Sequence, residues 1–215
     1  MKLKTIIPIV LIAVVEVVAN AQTLSPSMEK AISVCQELSK AIENSSTAPL
    51  KAANVALKAA DIVDFGDLAL HKGKDLDVNG HFVFDEEFVD SLIVNRKVLD
   101  FSKKYAEKRA NRGSTGVNGR IRLTTRALKA GHSAIWKTVN RGTAEFSVVA
   151  EPGGLLTMTI RDAKGKVLYA ETVKNKQGEA MRKAQLQLPE NKMSTLYIEV
   201  VNHSKQDTSF ALLKN

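Results

Sequence analysis

Only one cysteine, Cys35, occurs in the 215 residues. That excludes an internal disulfide whatever the compartment. Cys35 stands at helical spacing with Ile32 and Leu38, the position of a small buried hydrophobe rather than of a reactive or intermolecular thiol. Aromatic residues are also scarce, at seven Phe, three Tyr and one Trp. So few rings give little for successive bases to stack on, and a nucleic-acid partner is not expected. The four histidines, His71, His81, His132 and His203, are scattered through expected turns. There is no G-x-S-x-G, no H-E-x-x-H and no P-loop. Asp61, Asp64 and Asp67 lie three apart beside Lys51 and Lys58, which makes a solvated face rather than a catalytic carboxylate pair. The expectation is a protein without catalytic machinery and without a cofactor, calcium being the one exception taken up below.

Long apolar runs are missing everywhere but at the start. Lys2 and Lys4 precede an apolar stretch over residues 6–15, Glu16 interrupts it, and Ala19-Asn20-Ala21 follows. This is the layout of a secretory signal peptide over residues 1–21, cleaved after Ala21. The alternative, a membrane anchor, needs a longer uncharged run. With no second such run, the mature chain is expected to lack a transmembrane segment and to work in the periplasm or outside the cell.

What is present divides in two. Ser25-Pro26 offers a capping serine and a first-turn proline. Met28, Ala31, Ile32, Cys35, Leu38, Ala41 and Ile42 then recur at three and four, an amphipathic helix that ends near Asn44. A second helix is expected from Pro49 toward His71-Lys72-Gly73, and a third from about Asp85 to Arg112, where Gly113 ends it. Beyond residues 113–119, a glycine-rich linker, period-two alternation takes over. Phe146, Val148 and Ala150 alternate with Glu145, Ser147 and Val149. Leu156, Met158 and Ile160 alternate with Thr157, Thr159 and Arg161, and Leu196, Ile198 and Val200 with Thr195, Tyr197 and Glu199. Strands are expected over 121–128, 133–139, 143–150, 155–162, 166–173, 180–188, 194–202 and 208–214. The class is therefore α+β: an antiparallel helical bundle of about three helices over residues 22–112, then an antiparallel β-sandwich of about eight strands over residues 120–215.

The run Leu156-x-Met158-x-Ile160-x-Asp162-x-x-Gly165, followed by Leu188-Pro189 and Tyr197-Ile198-Glu199-Val200, resembles the bacterial pre-peptidase C-terminal domain. In that family an alternating strand leads into an Asp-x-x-Gly hairpin, and a later turn precedes an aromatic-bearing strand. The resemblance covers about a third of the chain. It implies a β-sandwich accessory module of an exported bacterial protein, engaged in binding rather than catalysis.

Two further patterns point to ligands. Asp75-Leu76-Asp77-Val78-Asn79-Gly80, with Glu86 beyond, satisfies the EF-hand pattern, in which alternate oxygens surround a calcium ion. Asp75, Asp77, Asn79 and Glu86 are the candidate ligands. Against them, Lys72 and Lys74 stand beside the site, and a plain loop between two helices explains the same residues. The second pattern is charge. Residues 120–215 hold sixteen Lys and Arg against eight Asp and Glu, and residues 103–141 hold eleven basic residues against Glu107 alone. Lys103, Lys104, Lys108, Arg109, Arg112, Arg120, Arg122 and Arg126 are the candidates for an anionic partner: an acidic polysaccharide, a lipid surface or an acidic protein. The sequence thus favours an exported, non-enzymatic binding protein with a basic β-sandwich. The alternatives are a calcium-binding exported protein and a hydrolase-type enzyme with its site between the two regions.

Overall fold

A computed structural model describes residues 23–43, 47–60, 62–64, 68–76, 78, 81–95, 120–170 and 181–215. Within these, three helices and ten strands follow the order α1 (Pro26–Glu43), α2 (Thr47–Lys58), β1 (Val63–Asp64), β2 (Ala69–Gly73), α3 (Glu86–Asn95), β3 (Arg122–Leu128), β4 (Ser133–Asn140), β5 (Thr143–Ala150), β6 (Leu156–Asp162), β7 (Val167–Ala170), β8 (Met181–Gln187), β9 (Ser194–Asn202) and β10 (Thr208–Lys214).

The strands form two five-stranded sheets. Sheet A runs β1-β3-β10-β5-β8 and sheet B runs β2-β4-β9-β6-β7. All pairings are antiparallel except the short parallel pair of β1 with β3. The inward half of each alternation meets its counterpart between the sheets. Phe146, Val148, Met158, Ile160, Leu196, Ile198, Phe210 and Leu212 are fully buried there around Trp136. Period two places them so, because successive side chains of a strand point to opposite faces.

The helices begin where local chemistry starts them. Ser25 Oγ accepts from the Met28 amide at 3.3 Å ahead of α1. Asp85 Oδ1 accepts from the amides of Glu87 and Phe88 at 2.9 and 3.2 Å ahead of α3. Each side chain satisfies donors that a first helical turn leaves open. α1 packs on β5 and β10, α2 on α1, and α3 on α2. Met28, Ile32, Cys35 and Leu38 share one core with Leu123, Ala127, Val149, Ala211 and Leu213, the outward half of sheet A.

Three expectations change at this point. The helices are not a free-standing bundle, because their apolar faces are buried on sheet A. The division into a helical region before residue 113 and a separate sandwich from residue 120 therefore does not separate two cores. It also fails in the sheets, since β1 and β2 belong to the first part and pair with β3 and β4 of the second. The second helix stops at Lys58 instead of running to His71. Residues Ala69–Gly73 lie extended at the edge of sheet B, exposed throughout, so no alternation marks them in the sequence. Gly73 closes this edge strand at φ 88°. A Cβ there would stand 2.6 Å from the Ser133 carbonyl oxygen, a contact that only glycine avoids. The linker at 113–119, the signal segment at 1–21 and the far half of the third helix lie outside the described residues.

Candidate binding face

The outward half of sheet B has a different character from that of sheet A. Along β4 it presents Ser133, Ile135, Lys137 and Val139; along β9, Thr195, Tyr197, Glu199 and Val201; along β6, Thr157, Thr159 and Arg161. Of these only Thr157 is buried. Register aligns them in rows across the strands. Lys137, Tyr197 and Arg161 form one row, and Ile135, Glu199 and Thr159 form the next. Neighbouring strands lie about 4.8 Å apart, so each row is a ladder of side chains at that spacing.

Local contacts hold this ladder in place. Arg161 Nη1 donates to Glu199 Oε2 at 2.6 Å, with both side chains partly exposed. Solvent screens such a pair, so it contributes about 0.2–1 kcal/mol and orients more than it stabilises. The His71 ring, from β2, lies against the Tyr197 ring with centroids 4.6 Å apart and planes tilted by 51°. Together they make a ring surface in the row that also holds Lys137 and Arg161. Thr157 Oγ1 is within 2.9 Å of His203 Nε2, which covers Thr157. At the end of the sheet the β6–β7 hairpin places Lys164 and Lys166 in solvent, their amides bonded to Asp162 Oδ1 at 2.8 and 2.9 Å. Lys72 is exposed on the β2 edge. The face is thus cationic, with one aromatic patch and one carboxylate.

The residues singled out from the sequence are distributed otherwise. Asp75 Oδ2 accepts from Arg126 Nη1 at 3.0 Å, and both side chains are largely buried. A candidate calcium ligand and a candidate anion contact therefore neutralise each other. A cation at Asp75 would face a guanidinium, which opposes binding. The Leu76 amide is fixed to the Ala127 carbonyl at 2.8 Å, so this stretch is pinned to β3. Glu86 opens α3, exposed, and its carbonyl accepts from Asn54 Nδ2 at 3.4 Å. Asp77 and Asn79 lie outside the described residues. Among the described residues no three His, Cys, Asp or Glu side chains come together in a way that could hold a metal ion.

Of the basic candidates, Lys103, Lys104, Lys108, Arg109 and Arg112 lie outside the described residues. Arg120 is exposed ahead of β3, while Arg122 and Arg126 alternate with Leu123 and Thr125 onto the inter-sheet side. The basic residues of β3 therefore do not continue into a surface stripe with Lys137. The side chains that the sequence left unassigned, His71, Lys137, Arg161, Tyr197 and Glu199, are the ones brought together. For Lys137, Arg161, Tyr197 and Glu199 the signal is the polar half of the alternation, whereas His71 stands on a strand exposed throughout and has no such signal.

Away from this face, Cys35 and Lys58 depart from their ordinary values. Burial pushes the Cys35 thiol up to about 12, so it is inert toward nucleophilic chemistry at neutral pH. The hydrogen bond to Asp90 raises the pKa of the exposed Lys58 ammonium.

No protein-family model matches the chain. No curated protein matches it either. Among solved structures, a periplasmic inhibitor of g-type lysozyme from Aeromonas hydrophila shares 10% identity over 48% of this chain and 90% of its own, with a TM-score of 0.33. A carbohydrate-binding module of lichenase 5A from Cellvibrio mixtus, solved with cellotriose, shares 11% identity over 46% of this chain and 89% of its own, with a TM-score of 0.27. Each likeness spans less than half of the present chain.

Proposed function

We propose that the chain is an exported, non-enzymatic binding protein that holds an acidic polysaccharide on the outer face of sheet B. One observation carries this. The two sheets have equivalent strands, yet the outer face of sheet A is closed by α1 while that of sheet B displays Lys72, Lys137, Arg161, His71 and Tyr197 to solvent or near it. A polymer lying across the strands meets a new side chain at each strand spacing. The cations attract its carboxylates, and the His71–Tyr197 rings offer an apolar surface to a sugar ring. Thr159 and Glu199 supply hydroxyl and carboxylate partners for sugar hydroxyls. A lipid surface would call for exposed apolar side chains around the cations, and this face carries few. The resemblance to the pre-peptidase C-terminal domain and the signal-like segment at residues 1–21 belong to the same proposal, an accessory binding module that acts outside the cytoplasm.

The test is retention of the protein on an immobilised uronic-acid polymer, with a neutral polysaccharide and anionic vesicles as comparators. Retention should fall steeply as salt shortens the Debye length below about 10 Å. Lys137→Glu and Arg161→Glu should each abolish it without unfolding the protein. Equal retention on the vesicles would transfer the face to a lipid partner. Retention insensitive to salt or to both substitutions would remove the binding reading.

A further inference from the structure

Register carries four strands of sheet B through one row: Ala69 on β2, Lys137 on β4, Tyr197 on β9 and Arg161 on β6. Lys137 and Arg161 both pair with Tyr197, from opposite sides. These three follow or precede fully buried residues, Trp136, Ile198 and Ile160, so they stand on the outward face. The next row is Lys72, Ile135, Glu199 and Thr159, with a carboxylate at its centre and its one cation at the sheet edge.

The first row thus reads cation, ring, cation. Strands stand about 4.8 Å apart, which sets the stems of Lys137 and Arg161 about 10 Å from each other with Tyr197 midway. Both cations remain able to take an anion. Lys137 is exposed and forms no ion pair with another described residue. Arg161 gives Nη1 to Glu199 Oε2 at 2.6 Å, and a guanidinium carries five N–H groups, so a second carboxylate can be held beside the first. The Tyr197 ring is backed by the His71 ring, with centroids 4.6 Å apart.

An extended pyranose chain advances by roughly one strand spacing per sugar. Laid along the row, successive sugars fall on Lys137, Tyr197 and Arg161. The outer two find a cation for a carboxylate. The middle one meets a ring, which suits the apolar face of an uncharged sugar. A carboxylate on that middle sugar would find no cation of its own and would stand near Glu199, two residues along the same strand, where like charges repel. We propose that the row recognises charge period: it selects a polymer that alternates uronic acid with a neutral sugar over one charged on every sugar. This rests on the reading of the outer face of sheet B as a polysaccharide site, and names what that site distinguishes. Glu199 is then a specificity residue, because its charge weighs most against the polymer with the denser period.

Calorimetric titration of the full chain with two oligosaccharides tests this. A hyaluronan hexasaccharide carries three carboxylates on alternate sugars, and hexagalacturonate carries six, one on each. Attraction by charge alone favours the second, most of all at low salt. The row reverses that order, and the hyaluronan hexasaccharide should bind about fivefold or more tightly at the same ionic strength. Glu199→Gln keeps an acceptor for Arg161 and removes the charge. It should raise the affinity for hexagalacturonate about fivefold and leave that for the alternating oligomer nearly unchanged. Lys137→Gln and Arg161→Gln each leave one cation, and each should weaken the alternating oligomer by about tenfold. Equal or tighter binding of hexagalacturonate by the parent overturns the charge period and leaves the polysaccharide reading standing. A preference that Glu199→Gln does not narrow comes from linkage or ring shape, and overturns it as well. So does a loss confined to one of the two cations, which would mean that a single charge is read. Binding of neither oligomer by the folded parent removes the polysaccharide reading and the charge period with it.

Discussion

Sheets A and B have the same number of strands and share one inter-sheet core, yet their outer faces meet different surroundings. The outward half of sheet A includes Leu123, Ala127, Val149, Ala211 and Leu213, which share a core with the helices and disappear beneath them. The outward half of sheet B is Lys137, Thr159, Arg161, Tyr197 and Glu199, and it remains at the surface. The difference is written in how each strand alternates. β9 and β6 alternate cleanly, as strands with one wet face do. β10 carries Phe210, Ala211, Leu212 and Leu213 in succession and is buried along its whole length, as strands covered on both faces are. A face free to bind is thus recognised by the polar half of a clean alternation, and a face committed to packing by the loss of that alternation.

The contrast can be broken first by charge. Ala211→Asp sets an unpaired carboxylate beneath α1 and should cost more than about 4 kcal/mol, enough to prevent folding. Thr159→Asp, on the equivalent side of sheet B, should stay within about 0.5 kcal/mol. Circular dichroism melts of the two variants decide it, and equal losses would mean that sheet B is covered too. A smaller effect tests how α1 is attached. Glu145, 1% exposed, accepts from the Ser25 amide and hydroxyl, each at 2.6 Å, and from Gln185 Nε2 at 3.2 Å. Glu145→Ala should cost about 2–3 kcal/mol in urea unfolding, and should make residues 23–43 the first segment cut by protease.

The covered layer also has a pH signature. Cys35 lies in it with a thiol pKa raised from 9.0 to about 12. The unfolded chain loses this proton first, so the stability linked to it is complete below pH 9 and declines as pH rises toward 12. Between pH 8 and pH 10 the parent should lose about 1.4 kcal/mol more than Cys35→Ala. A difference of zero would place the thiol in contact with solvent. The smallest effect expected is that of calcium. With Asp75 engaged by Arg126, calcium should raise the melting temperature no more than magnesium does. A calcium-specific rise lost in Glu86→Gln would restore the metal site.

The sandwich strands were legible because alternation is a local property of the residues that make it. β3 to β6 and β8 to β10 begin and end within about two residues of the expected limits, and α1 does so too, helped by Ser25 and Pro26. What stayed hidden depends on neighbours far along the chain. β2 is exposed throughout and is a strand only because β4 offers it a ladder. Glu145 stands in the polar half of its alternation and is buried all the same, because Ser25 lies against it from 120 positions away. Asp75 and Arg126 each looked like a ligand-binding residue, and nothing local showed that they would meet. Tyr197 stands on the polar half of its alternation, but its meeting with His71 requires β2 to lie in sheet B.

One more consequence follows from the place of β10. It is the last strand in chain order, yet it stands in the middle of sheet A, between β3 and β5. Until it arrives, β3 with β1 and β5 with β8 are separate ribbons, and α1 has only part of its floor. A polypeptide emerges from the ribosome at about 5–20 residues per second, so sheet A cannot close until β10 has emerged. Contacts between its beginning and its end are also slow to form, since long loops must close first. Sheet A thus stays open until β10 docks between β3 and β5 and joins the two ribbons.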